Sequence, residues 1–101
     1  MKSYDINDLR KLKKISNYDE FISEFSTVKT IKADTKILKY LKEAEIIAAT
    51  GSHLIDKIAN RETDIELLAY SDGKYIWDSR DIYYYENYGM PLNSDFVAAV
   101  M

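Results

Sequence analysis

Between Leu67 and Tyr88 the chain reads LLAYSDGKYIWDSRDIYYYENY, and that stretch leaves few folds open. Asp72-Gly73 separates two runs rich in β-branched and aromatic residues, and an Asp-Gly pair supplies the positive φ angles of a two-residue type I′ turn. Such a turn sets a register in which Ser71 faces Lys74, while Tyr70, Ala69 and Leu68 face Tyr75, Ile76 and Trp77. One side of the ribbon then carries Leu68, Tyr70, Tyr75 and Trp77, and the other Ile65, Leu67, Ala69 and Ile76. Apolar character on both sides predicts a cover for each, supplied by the protein's own helices or by another chain.

Behind the hairpin, Asp78 or Ser79 can cap a helix over 79–88, which Gly89 ends and Pro91 keeps from resuming. At about 100° per residue, Ile82, Tyr84, Tyr85 and Tyr88 share one arc. Tyr83 falls with Arg80, Glu86 and Asn87 on the other, so it is the aromatic expected to face solvent. Ser94 reads as the cap of a last helix over 94–101, with Phe96, Val97 and Val100 available to pack.

The earlier half supplies further helices by the same logic. Ile6, Leu9 and Leu12 recur every three residues and predict a helix over 5–15. Asn17 caps a second over 17–26, where Tyr18, Phe21, Ile22 and Phe25 share a face. Asp34 caps a third over 34–44, with Ile37, Leu38, Leu41 and Ala44 on one arc and Lys36, Lys39 and Lys42 on the other. Val28 to Ala33 fits a short edge strand blunted by lysines. Glu45 to Thr50, ended by Gly51, reads as a buried strand beside the hairpin, or as a continuation of the third helix. Residues 52–60 read as a loop or a turn or two of helix. The expectation is a single α+β domain spanning 1–101. Its antiparallel sheet has about three strands (45–50, 64–71, 74–78), packed with four to five helices.

Function is harder to read. At 101 residues with no cysteine, the chain needs no disulfide framework and has no thiol chemistry. Neither a signal-peptide core nor a run of roughly 20 apolar residues is present, so a cytoplasmic protein without membrane contact is expected. No cofactor or metal motif stands out. His53 is the sole histidine, and Asp56, three residues on, is its one nearby candidate partner for acid–base work. No nucleophile elbow or phosphate-cradling glycine loop accompanies them, and a non-enzymatic role is expected.

Charge and aromatic content point to binding instead. Residues 1–50 hold ten basic and eight acidic side chains, whereas residues 51–101 hold four and nine. An acidic C-terminal half disfavours phosphate backbone there and suits a basic partner. Nine tyrosines and one tryptophan provide amphipathic anchors of the kind interfaces concentrate at their centres. The surface expected to dock comprises Asp72, Asp81, Tyr83, Glu86 and Asn87. Trp77 and Tyr85 fit the core. Two other uses stay open: a homodimer through the hairpin, and a nucleic-acid contact through Lys29, Lys32, Lys36, Lys39 and Lys42.

The segments YLKEAEIIAAT, SDGKYIW, YYYENYGMPL and DFVAAV, in that order across Lys39 to Val100, resemble a group of small bacterial proteins. Those share a YL, AT, DG-x-x-W, YY-x-E-x-Y, L-P-x-x-F layout. Asp78 stands where that layout has proline, and Met90-Pro91-Leu92 replaces its L-P order. The resemblance implies a common fold unit. By analogy, small acidic proteins of this size resemble immunity partners of bacterial toxins or inhibitors of host-defence factors.

Overall fold

The computed structural model describes residues 11–101. Four strands, β1 (Lys13–Lys14), β2 (Glu45–Asp56), β3 (Arg61–Ser71) and β4 (Tyr75–Asp78), form one sheet in the order β1-β4-β3-β2. The helices are α1 (Tyr18–Ser23), α2 (Thr35–Glu43), α3 (Ser79–Tyr88) and α4 (Ser94–Val100). The α+β class holds; the sheet is mixed and larger than expected, because β1 adds a parallel fourth strand to three antiparallel ones.

The β3–β4 hairpin exists, but its turn lies one residue later than the Asp-Gly pair implies. Ser71 pairs with Ile76, Tyr70 with Trp77 and Ala69 with Asp78. Gly73 alone in this turn has a positive φ, which matches the glycine-first pattern of a type II′ turn and not the two positive φ angles of type I′. The Asp72 carboxylate fixes this by accepting the Lys74 and Tyr75 N–H groups at 2.9 and 2.7 Å. Each residue therefore meets a partner two positions further on, and a shift by two leaves side chains on their expected faces. Tyr70 stacks on Trp77, with ring centroids 6.5 Å apart and planes within 8°.

That face is covered by α2 and α4. Trp77 packs against Phe96 and Tyr40, and its Nε1–H donates to the Leu41 carbonyl at 3.1 Å. The opposite face, carrying Ala69 and Ile76, is half-buried; beside it, among the described residues, runs the segment from Lys14 to Asp19.

Several expected elements differ. Of the helix expected over 5–15, residues 5–10 lie outside the described residues, and 11–15 are not helical. Lys13 N–H donates to the Lys74 carbonyl, and Ile15 is fully buried with its carbonyl accepting from Asn93 N–H. Burying Ile15 while Lys13 and Lys14 pair with β4 prevails over a helical pattern too short to be stable alone. The second helix shrinks to the six residues of α1, capped by Asn17 as expected. Residues 28–33 form no strand, though Ile31 N–H donates to the Gly89 carbonyl at 2.8 Å. The final helix begins at Ser94 with Asn93 at the cap position; the Asn93 side chain donates to the Lys14 carbonyl instead of capping.

The largest departure is β2. It is a strand, but it runs on through the stretch expected as loop to Asp56, and it is exposed, not buried. From Glu45 to His53 every residue but Ile47 is exposed. The reason is position: β2 is the outermost strand, and no strand among the described residues pairs with its outer edge. Three register irregularities against β3 bend it, and such bulges blunt an open edge.

Candidate functional site

Among the described residues, the charged side chain that is completely buried is Asp56, at the turn between β2 and β3. Its Oδ2 accepts the Tyr83 and Tyr88 hydroxyls, each at 2.6 Å. Its Oδ1 accepts the Ile58 and Ala59 N–H groups at 2.9 and 2.8 Å, closing the turn between β2 and β3. Burial pushes the carboxyl up, but these four hydrogen bonds outweigh it and hold the group below the usual aspartate range. The tyrosines respond in the opposite sense. Tyr83 is raised first by its bond to Asp56, and Tyr88 is pushed up to about 12 by burial and then by the same carboxylate.

This bond overturns the expectation that Tyr83 faces solvent. Its side chain is 7% exposed, because the β2–β3 hairpin is long enough to bring Asp56 over the side of α3 that helical periodicity assigns to water. It also removes His53 and Asp56 as a pair. His53 is an exposed strand residue opposite Glu66, while both Asp56 oxygens are committed elsewhere.

Asp81 is likewise not on the surface. Asp78 caps α3 through Arg80 N–H, and Asp81 reciprocates by accepting the Asp78 N–H at 2.9 Å, completing a capping box. The Ser16 hydroxyl donates to the same Asp81 carboxylate. Arg80 pairs with Asp78 at 2.9 Å and stacks over the Tyr18 ring at 4.5 Å. Burial pushes Asp81 up to about 6, with the Asp78 charge acting in the same direction. A cleft of about 320 Å³ opens beside this cluster, between the segment from Lys14 to Asp19 and the β3–β4 residues Ala69, Ile76 and Trp77.

Asp72 is exposed but occupied. Besides holding its own turn, it accepts the Tyr40 hydroxyl at 2.5 Å; burial, and then this bond, push Tyr40 up to about 12. It lies at the β3–β4 turn, away from α3.

Of the five residues expected to dock, Tyr83, Glu86 and Asn87 do come together. Ser79, Ile82, Tyr83, Glu86 and Asn87 form one stripe of α3, and this stripe borders a groove of about 370 Å³. The facing wall is β3, through Ile65, Glu66, Leu68 and Tyr70. Lys42 of α2 closes one end, its Nζ 2.9 Å from the Glu86 carboxylate. That ion pair takes Lys42 out of the expected five-lysine face, leaving Lys29, Lys32, Lys36 and Lys39 exposed.

The acidic side chains of β3 are the feature that sequence reading passed over. Glu62, Asp64 and Glu66 are all exposed. The ion pairs among the described residues are Lys42–Glu86 and Arg80–Asp78, so none of the three is neutralised by one. Beside them stand exposed isoleucines, Ile65 at 40% and Ile55 at 52%. The alternation in RETDIE carries this signal once the segment is taken as a strand with an open face. Among the described residues, no three His, Asp or Glu side chains converge as metal ligands, and no helix is long and apolar enough to cross a membrane.

Fold and site together define a mixed-sheet α+β domain with an acidic, partly apolar hairpin. The chain matches no known protein family, no curated protein and no solved structure.

Proposed function

We propose that this is a non-enzymatic protein-binding domain of the immunity or inhibitor kind, acting in the cytoplasm, that docks its β3–α3 face on a basic partner such as a toxin or host-defence factor. The observation that carries this reading is the row of exposed, un-ion-paired carboxylates at Glu62, Asp64 and Glu66, with the bare Ile55 directly across from Glu62. Apolar contact area flanked by uncompensated charge of one sign is the composition of a surface that is steered to its partner and then dries on contact. Glu86 and Asn87 remain in this surface. Tyr83 supports it from beneath, while Asp72 and Asp81 belong to other parts of the fold.

Capture of partners from the native cell tests the reading. The wild-type domain is expected to retain a basic protein at low salt and to release most of it as ionic strength rises. The double variant Glu62→Lys/Glu66→Lys, which touches no buried contact, is expected to retain about tenfold less. Equal recovery by the two proteins removes the proposal.

A second reading has its own support. Strand β2 offers a twelve-residue edge that is interrupted by bulges but contains neither proline nor lysine, residues also used to protect such edges. A second copy of the chain could cover it.

A further inference from the structure

The groove between β3 and α3 is chemically more specific than a general acidic face. Its walls are apolar in the middle, where Leu68 of β3 and Ile82 of α3 contribute. Its two glutamates are not equivalent. Glu86 is matched by Lys42, and Asn87 at the same rim donates its amide to the Tyr83 carbonyl at 3.0 Å. Glu66, across the groove, has its backbone carbonyl tied to the Ser79 hydroxyl at 2.7 Å, which fixes its place on the wall, while its carboxylate has no ion pair among the described residues.

These facts select the occupant by elimination. A wholly apolar group seated here would strip water from Glu66 and return nothing to it. An anion would meet two carboxylates against one ammonium. A short cation would satisfy Glu66 but leave the Leu68–Ile82 walls wet. What fits both is a long side chain with a methylene stem and a cationic head, and a planar guanidinium meets a carboxylate in two parallel hydrogen bonds where an ammonium meets it as a point charge. The groove volume, about 370 Å³, is at the small end of ligand sites, suited to one side chain.

We propose that the groove receives an arginine side chain of the partner, with its stem between Leu68 and Ile82 and its guanidinium on Glu66. This assignment rests on the protein-binding reading given above and names the contact on which it turns. Lys42 leaves Glu86 net neutral in the free protein, so the arginine meets one uncompensated charge and not two.

The test uses the whole domain, isotopically labelled, and N-acetyl-arginine methylamide as the probe. Backbone amide shifts are followed by NMR up to tens of millimolar. Saturable shifts are expected at Ile65, Glu66, Leu68, Ile82 and Asn87. The citrulline analogue, equal in shape and uncharged, is expected to bind about fivefold more weakly, and Glu66→Gln to weaken the arginine probe by a similar factor. Glu62→Gln, on the same strand but outside the groove, should leave the affinity unchanged. Absence of saturable shifts, equal binding of citrulline, or shifts that Glu66→Gln does not alter would each overturn the assignment. Its failure is separable from that of the broader reading. If arginine does not bind while a basic partner is still captured in a salt-sensitive way, docking happens elsewhere on the domain. If arginine binds but no partner is retained, the groove stands and the partner class is wrong.

Discussion

Tyrosine hydroxyls bonded to carboxylates recur through this protein: Tyr40 with Asp72, Tyr75 with Asp95, and Tyr83 and Tyr88 with Asp56. Tyr84 and Tyr85 instead serve backbone groups, accepting from Lys57 and Asp34 N–H. A tyrosine can therefore be buried without stranding its hydroxyl, and the aromatic wealth that suggests an interface in the sequence is largely spent inside the fold. The two buried aspartates of this system differ in sign. Asp81 binds its proton more tightly in the folded chain, at about 6 against an ordinary value of 3.8, so its contribution is complete below about pH 4 and is lost as pH rises through 6. Asp56 is held low, so its contribution is present above the ordinary carboxylate range and is lost as pH falls through its folded value. Unfolding free energy is accordingly expected to rise as pH drops from 7 to about 5, by on the order of 1 kcal/mol, and to fall again in strong acid. Asp81→Asn, whose amide oxygen can accept from the Asp78 N–H while its NH2 donates to the Ser16 hydroxyl oxygen, should abolish the rise and keep the acid limb. Chemical denaturation at stepped pH measures both, and an unchanged rise in that variant assigns it to another group.

Element boundaries were legible where a side chain caps a backbone. Asn17, Asp34 and Asp78 stand at the starts of α1, α2 and α3, as the sequence predicts, because a cap acts within three residues. Strand lengths and exposure were not, because they depend on distant partners. Ser52 and His53 break the apolar pattern, yet β2 continues past them, bulging around Gly51. Tyr83 was assigned to solvent by a helical wheel that cannot include a hairpin tip arriving from residue 56. The groove residues divide the same way: Glu86 and Asn87 share a helix face visible in the sequence, whereas Glu66 joins them only through sheet packing. Gly89 shows how much one helix end can carry. Its φ of 68° is left-handed, and a Cβ there would sit 2.0 Å from the Ile31 carbonyl oxygen. The clash is with backbone that also accepts no detour, since Ile31 N–H bonds the Gly89 carbonyl. Gly89→Ala is expected to cost more than the ~1 kcal/mol typical of a left-handed site alone, on the order of 2 to 4 kcal/mol. Asn at the same position relieves the φ strain but not the overlap. Thermal unfolding of both should show losses of comparable size; a fully stable Gly89→Asn would mean that the Ile31 segment moves aside freely.

At the scale of the molecule, charge and sheet edge are laid out on different sides of one plan. The exposed lysines of 29–39 lie on α2 and the segment before it, the free carboxylates lie on β3, and Lys42–Glu86 joins the two zones. The open edge of β2 lies beyond β3 and carries Ile46 exposed at 40%. A basic partner would approach the β3–α3 face, whereas a second copy would approach along β2, and the two modes respond differently to salt. Docking driven by carboxylates weakens as salt screens them over about 10 Å at 0.1 M, but strand pairing between like-charged copies strengthens under the same screening. Sedimentation at high protein concentration should therefore show whether a dimer exists and, if so, an increase in its fraction with salt. Ile46→Lys, which places an exposed charge on that edge without disturbing a buried contact, should return such a dimer to monomer while leaving partner capture at the Glu66 face within about twofold. A dimer unaffected by that change would place the contact on another surface, and loss of partner capture with it would mean that β2 and β3 act as one interface.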